Sequence, residues 1–211
     1  MSAPTAAFYF DLSSPLAYLA AERVLGVFAE VPAAVEWLPV DARGLPGGET
    51  FEAFRCAGEQ DVLRAEVERR ARELGLQPLR WPDPFPFDSS LAMRVATYAK
   101  SIGRTVPFAQ AAFRQAFAGG RSLADPDFVL IAAAACEMHP TAVLRAAELR
   151  TVAEQLAATT AQAAALGVGE VPAILLTGAD APERREVFPG ERALERAAAR
   201  LAGPNAGALG R

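Results

Sequence analysis

The sequence predicts an α/β protein in which a small mixed sheet, built from both ends of the chain, carries a long all-helical insertion. Three observations predict it. Short apolar runs rich in aromatic and β-branched residues stand near the two ends, at Ala7–Asp11, Ala34–Val40, Ala173–Thr177 and Glu186–Phe188. The stretch between them is punctuated by helix-start and helix-stop residues and reads as consecutive helices. Apolar types make up 52% of the 211 residues and the formal net charge is only −4, so the chain can fill a sizeable core and is not expected to be disordered.

Each element follows from local chemistry. Ala7–Asp11 (AFYFD) reads as a buried strand. Ser13-Ser14-Pro15 marks a helix start, with Ser14 near the N-cap and Pro15 at the first helical position, and the apolar period carries that helix to about Phe28. Ala34–Val40 (AVEWLPV) is a second strand, with Pro39 near its end or on a sheet edge. A helix between two strands makes a βαβ unit and hence a parallel pair. Gly44-Leu45-Pro46-Gly47-Gly48 is a loop, and a charged helix runs from about Glu59 to Leu74, closed by Gly75. Trp81–Phe87 (WPDPFPF) holds three prolines and three aromatics, which excludes regular helix or central strand; it suits a cavity wall or an ordered surface loop.

Asp88-Ser89-Ser90 caps the next helix, to about Ile102. Further helices are expected over Pro107–Ala118, from Asp125-Pro126 through Met138, and from Thr141 to about Leu166 with a joint near Glu148. Ala173–Thr177 is a buried strand, Gly178–Glu183 a turn and Glu186–Phe188 a short strand near enough to close an antiparallel hairpin; a helix then runs to about Leu201. This order is the layout of a thioredoxin-type sheet with a helical insertion. The core is expected over 1–43 and 155–202, the insertion over 44–154 and a flexible tail over 203–211.

Composition removes several functions. With 21 basic against 25 acidic residues there is no basic excess for a nucleic acid partner. The longest apolar run, Phe128–Cys136, is about half of the ~18 residues a membrane span needs. Arg23 is the first basic residue and Asp11 interrupts the first apolar patch, so no secretory leader is expected. Cys56 and Cys136 form neither a CxxC nor a metal-ligand cluster. A cytoplasmic protein without structural disulfides is expected.

Two local features point to chemistry. Ser14 sits where a strand end meets a helix start, a place that favours an anion, and its hydroxyl can donate to a bound thiolate; most serines there only cap a helix. Val171-Pro172 precedes a buried strand. A cis proline there would turn the Val171 N–H and C=O outward as an edge for a peptide-like ligand, whereas a trans proline would merely begin a strand.

Together, FYFDLSSPLAYLAAE, GLQPLRWPDPFPFDSSLAMRVATYA and GVGEVPAILL resemble the DsbA-like thioredoxin-fold superfamily, and within it the 2-hydroxychromene-2-carboxylate isomerases and kappa-class glutathione transferases. The resemblance covers Phe8 to Leu201. It implies a thioredoxin-like fold with an inserted all-helical domain, a homodimer, and glutathione as the cofactor. The oxidoreductase branch carries CPxC at the helix start; here those positions read Ser14-Pro15-Leu16-Ala17, which cannot exchange a dithiol for a disulfide. The resemblance gives Ser14 the catalytic role of assisting the glutathione thiol, and Val171 with Pro172 the pairing of glutathione's cysteinyl part. The thiolate adds to an electron-poor carbon of an aromatic acid, rotation follows, and elimination regenerates glutathione. Trp81 and Phe85 would face the substrate ring, and Arg80, Arg94 or Arg43 its carboxylate. A kappa-type transferase or peroxidase acting on other electrophiles, or a non-catalytic relative binding a small acid or peptide, uses the same residues.

The chain departs from the family pattern at three contact positions. Ala173 follows Pro172 where a Thr or Ser is usual, and Asp88 stands at a substrate-contact position usually held by Asn. At the last helix start, Glu191 replaces the acid that holds the γ-glutamyl amine if one residue is deleted; otherwise Arg192 occupies that place. His139, the only histidine, suits general acid–base work but is expected to be a loop-end or partly buried imidazole. Cys136 reads as a small buried hydrophobe, while Cys56 is left open.

Overall fold

The computed structural model describes residues 5–29, 31, 33–48, 57–178 and 183–202. Strand β1 (Thr5–Phe10) leads through Ser14 into α1 (Pro15–Ala21) and α2 (Val24–Phe28), and the chain returns as β2 (Val35–Pro39). A 3₁₀ turn (Ala42–Gly44) follows, then α3 (Ala57–Glu73), α4 (Ser90–Ser101), α5 (Thr105–Phe113), α6 (Pro126–Ala134), α7 (Pro140–Glu148) and α8 (Arg150–Ala165). Strands β3 (Ala173–Thr177) and β4 (Arg185–Pro189) and helix α9 (Ala193–Ala202) complete the described chain. The expected boundary between 154 and 155 falls inside α8.

The sheet order is β2-β1-β3-β4. β1 runs parallel to β2 and antiparallel to β3, and β3 and β4 form the expected hairpin. Pro39 ends the outermost strand, where its missing N–H costs no ladder bond. β1 reads as an unbroken apolar run because both of its faces are covered. Ala6, Phe8 and Phe10 enter one core with Trp37, Ile174 and Leu176, while Tyr9 enters a second with Val40, Leu175 and Val171.

Three expected helices differ in their bounds. The first was expected to reach Phe28 unbroken, but it stops at Ala21 and restarts at Val24. Glu22 accepts from Arg114 (2.8 and 2.9 Å) and Arg23 pairs with Glu195 of α9, so tertiary partners claim both residues at the break. The helix expected over Pro107–Ala118 starts earlier, at Thr105, and widens into a π turn over Arg114–Ala118. The helix expected to reach Met138 ends at Ala134, where Glu137 turns left-handed (φ 60°) and the Met138 N–H returns to the Ala133 carbonyl (3.0 Å). The joint near Glu148 lies at Leu149, whose backbone is extended. Gly75 closes α3 with φ +66°, a conformation that disfavours any side chain. The expected turn at Gly178–Glu183 is described only at its two ends, and the tail 203–211 lies outside the described residues.

The helical block meets the sheet through aromatic rings. Phe117, fully buried on the π turn, lies 5.6 Å from Tyr18 of α1 and 6.2–6.4 Å from Trp81, Phe85 and Phe87. It joins three segments distant in sequence, so Phe117→Ala is expected to cost about 3–5 kcal/mol, read as a lower urea midpoint at unchanged m-value.

Candidate active site

The chain leaves the sheet at Asp11, and the next residues cross to α1. Ser14 is 2% exposed, has extended backbone angles, and caps α1 by accepting the Ala17 N–H (3.1 Å), with Pro15 at the first helical position. Its own N–H donates to the Asp11 carbonyl (3.0 Å). No described residue accepts the Ser14 hydroxyl proton.

Ser13 beside it is spent. Its hydroxyl and its N–H both donate to Asp11 Oδ1 (2.8 and 2.9 Å). Ser89 donates its hydroxyl to the same oxygen (2.9 Å), and the Ala42 N–H donates to Oδ2 (3.0 Å). Asp11 is 2% exposed. It thus ties the end of β1 to the 3₁₀ turn and to the entry of α4, and the Leu12 N–H adds a contact to Met93 Sδ of α4 (3.2 Å). Burial pushes the Asp11 carboxyl above the usual carboxylate range, and these donors oppose the rise. In the sequence Asp11 reads only as an interruption of the first apolar patch and Ser89 only as a cap. Ser89 makes no side-chain cap bond to α4, because its hydroxyl is turned to Asp11. The signal available was an aspartate closing a buried strand and followed at once by two serines.

The Val171–Pro172 peptide is cis. The last ladder pair is Tyr9 with Ala173, so the antiparallel register carries Pro172 and Val171 to the end of β1 that leads to Ser14. Val171 packs with Val40, Ala42 and Leu45, and Gly190 N–H holds the Pro172 carbonyl (2.8 Å). Just upstream, Gly47 N–H donates to the Gly169 carbonyl (2.7 Å). A Cβ on Gly47 would come within 2.5 Å of that oxygen, so only glycine permits the approach. Neither the N–H nor the C=O of Val171 bonds to the backbone of a described residue.

The other expected residues divide. Trp81 and Phe85 pack on Phe117 and under the Arg64 guanidinium, and Trp81 Nε1 donates to Glu68 (2.8 Å). Neither lines the cavity of about 240 Å³ that Pro86 and Phe87 form with Asp11, Ser13 and Asp88. Asp88 is exposed and accepts from Ser90, which together with Arg43 and Arg94 holds its carboxyl below the usual range. Glu191 is ion-paired with Arg70, which also reaches Glu73 (3.3 Å) and Glu195 (3.8 Å). His139 is exposed at the start of α7. Cys136 is buried, which raises its thiol pKa, and Cys56 lies outside the described residues. No group of metal-ligating side chains occurs among the described residues, and no described helix is long and apolar enough to cross a membrane.

A parallel βαβ unit, an antiparallel hairpin, a cis proline beside the first helix start and helices inserted between the halves define a thioredoxin-type protein with a cysteine-free helix start. The chain belongs to the DsbA-like thioredoxin domain family, which matches residues 5–202. Among solved structures it is similar to a 2-hydroxychromene-2-carboxylate isomerase, at 20% identity and TM-score 0.77 over 96% of this chain and 98% of that one. It is also similar to a probable DsbA oxidoreductase from Streptomyces coelicolor, at 19% identity and TM-score 0.76 over 95% and 91%. The cytosolic disulfide reductase DsbM from Pseudomonas aeruginosa, solved with GSH, shares 16% identity at TM-score 0.61 over 87% and 88%. No curated protein sequence matches the chain.

Asp11→Ala leaves the Ser13, Ser89 and Ala42 donors without their acceptor and is expected to cost roughly 3 kcal/mol or more, with Asp11→Asn costing less. The raised Asp11 pKa means that the folded state binds this proton more readily than the unfolded chain. Stability from this group is therefore fullest below the ordinary carboxylate pKa and falls as pH rises through the folded value. Urea unfolding across pH should show the wild type losing ground to Asp11→Asn over that window.

Proposed function

We propose that this protein is a glutathione-dependent enzyme of the serine type, an isomerase resembling 2-hydroxychromene-2-carboxylate isomerase. One observation carries the reading: Ser14 accepts the Ala17 N–H and keeps its own proton unspent, while Ser13 is consumed by Asp11. The same place offers no cysteine, since the helix begins Ser14-Pro15-Leu16-Ala17, so the dithiol chemistry of the oxidoreductase relatives is not available to it. When bound, glutathione supplies a thiolate that adds reversibly to a conjugated aromatic acid. Ser14 donates a hydrogen bond to the sulfur and favours its charged form. Val171 presents a backbone N–H and C=O to the cysteinyl part in the manner of an added strand. Asp11 keeps the Ser13-Ser14 turn in place. A second reading, a relative that holds a small acid or peptide without chemistry, is favoured by the Glu191–Arg70 pair, which occupies the carboxylate expected to meet the glutathione amine.

Calorimetry with reduced glutathione and an absorbance assay with 2-hydroxychromene-2-carboxylate test the proposal. Binding at millimolar ligand or below and turnover are expected, and Ser14→Ala is expected to lower kcat/KM roughly 10²-fold while largely preserving glutathione binding. No glutathione binding by the wild type overturns the reading; binding without turnover on this acid, on aryl halides or on hydroperoxides supports the non-catalytic alternative.

A further inference from the structure

We propose that Arg94 and the cleft between α4 and α8 form an acid-binding pocket for a monocarboxylate with a compact apolar body. Its link to catalysis rests on the Ser14 reading; its binding chemistry stands separately.

Two cavities share Arg43 and Ser89 in their linings. The smaller reaches Asp11 and Ser13, and so adjoins the turn that carries Ser14. The larger, about 350 Å³, opens between α4 and α8 and is lined by Met93, Ala153, Leu156, Ala157 and Ala161. That volume lies within the range of small-molecule sites, and beside the apolar residues the lining is polar: Asp41, Arg43, Ser89, Ser90, Arg94 and Thr160.

The arginines of the region are not equivalent. Arg80 lines neither cavity; its segment stands against Gly120, and its N–H donates to the Phe117 carbonyl (2.8 Å). Arg43 lines both but is committed, to Asp41 (3.1 and 3.4 Å), to Ser90 (2.9 Å) and to Asp88 (3.7 Å). Arg94 lines the larger cavity and makes no hydrogen bond or ion pair with a described residue. A guanidinium in that position presents its planar donor fork to a carboxylate.

The remaining polar groups narrow the ligand. Thr160 donates to the Leu156 carbonyl (2.9 Å) and accepts the Asp41 N–H (3.0 Å), so its hydroxyl is spent. Asp41 and Asp88 are offset by Arg43 and, for Asp88, by Ser90 and the nearby charge of Arg94 as well. One cation without a direct partner beside two compensated carboxylates suits a single negative charge and disfavours a polyanion. Ser89 and Ser90 give their hydroxyl protons to Asp11 and Asp88, so the lining keeps few free donors for a sugar or a second polar end.

Benzoate and 3-phenylpropanoate, titrated into the full chain without glutathione and followed by NMR, test the pocket. Saturable millimolar binding is expected, weakened roughly tenfold or more by Arg94→Ala and for the neutral probe benzamide. Ala157→Phe, which fills the cleft from an exposed helix position, is expected to abolish binding, and Arg80→Ala to leave it unchanged. Absence of saturable binding, equal binding by Arg94→Ala, or equal binding of benzamide overturns the proposal. Glutathione titrated into the same proteins separates the two readings: failure of the wild type to bind glutathione removes the Ser14 reading alone, whereas loss of acid binding in Arg94→Ala at unchanged glutathione affinity supports the pocket.

Discussion

A carboxylate buried at the end of the first strand is the constraint around which this molecule is arranged. Asp11 is held from water and is therefore tolerable only with donors on its oxygens. They come from three places: the Ser13 turn, the 3₁₀ turn at Ala42 and Ser89 at the mouth of α4. Satisfying one side chain thus fixes the position of the helical insertion relative to the core. It also decides which of two adjacent serines keeps a proton to give, because Ser13 is consumed and Ser14 is not.

The packing supports the same arrangement from two sides. Phe117 gathers Tyr18 and the aromatic residues of the proline-rich segment, so the insertion is seated on α1 by ring contacts. On the far side, Arg23 and Arg70 meet Glu195, and Arg70 meets Glu191, joining α3 and α9 to the break after α1. These ion pairs are partly exposed, and their separate contributions to stability are small. Their effect on the site is positional: they claim Glu191, and any ammonium group reaching that carboxylate competes with a guanidinium already there.

The family likeness and the local chemistry answer different questions. Solved relatives at 20% identity or below establish the thioredoxin-type architecture and include both an isomerase and disulfide oxidoreductases. The fold does not choose between those chemistries. The helix start bears on the choice, since Ser14-Pro15-Leu16-Ala17 lacks the sulfurs that dithiol exchange requires.

What the sequence determined by itself was what neighbours along the chain decide. The four strands, the cap at Ser14, the stop at Gly75 and the joint near Glu148 follow from apolar period, capping preference and backbone freedom, all local in origin. Tertiary structure decided the rest. Ser89 has the sequence of a helix cap, yet its hydroxyl serves Asp11, 78 residues away. The first helix breaks at Glu22 and Arg23, whose side chains pair with Arg114 and Glu195. Three arginines that spacing leaves equivalent are separated by place: Arg43 is bonded to Asp41 and Ser90, Arg94 lines the cleft without a direct partner, and Arg80 lies away from it. A hydrogen bond or ion pair depends on where the partner is in space, and for Ser89, Glu22 and Arg23 the partner lies dozens of positions distant.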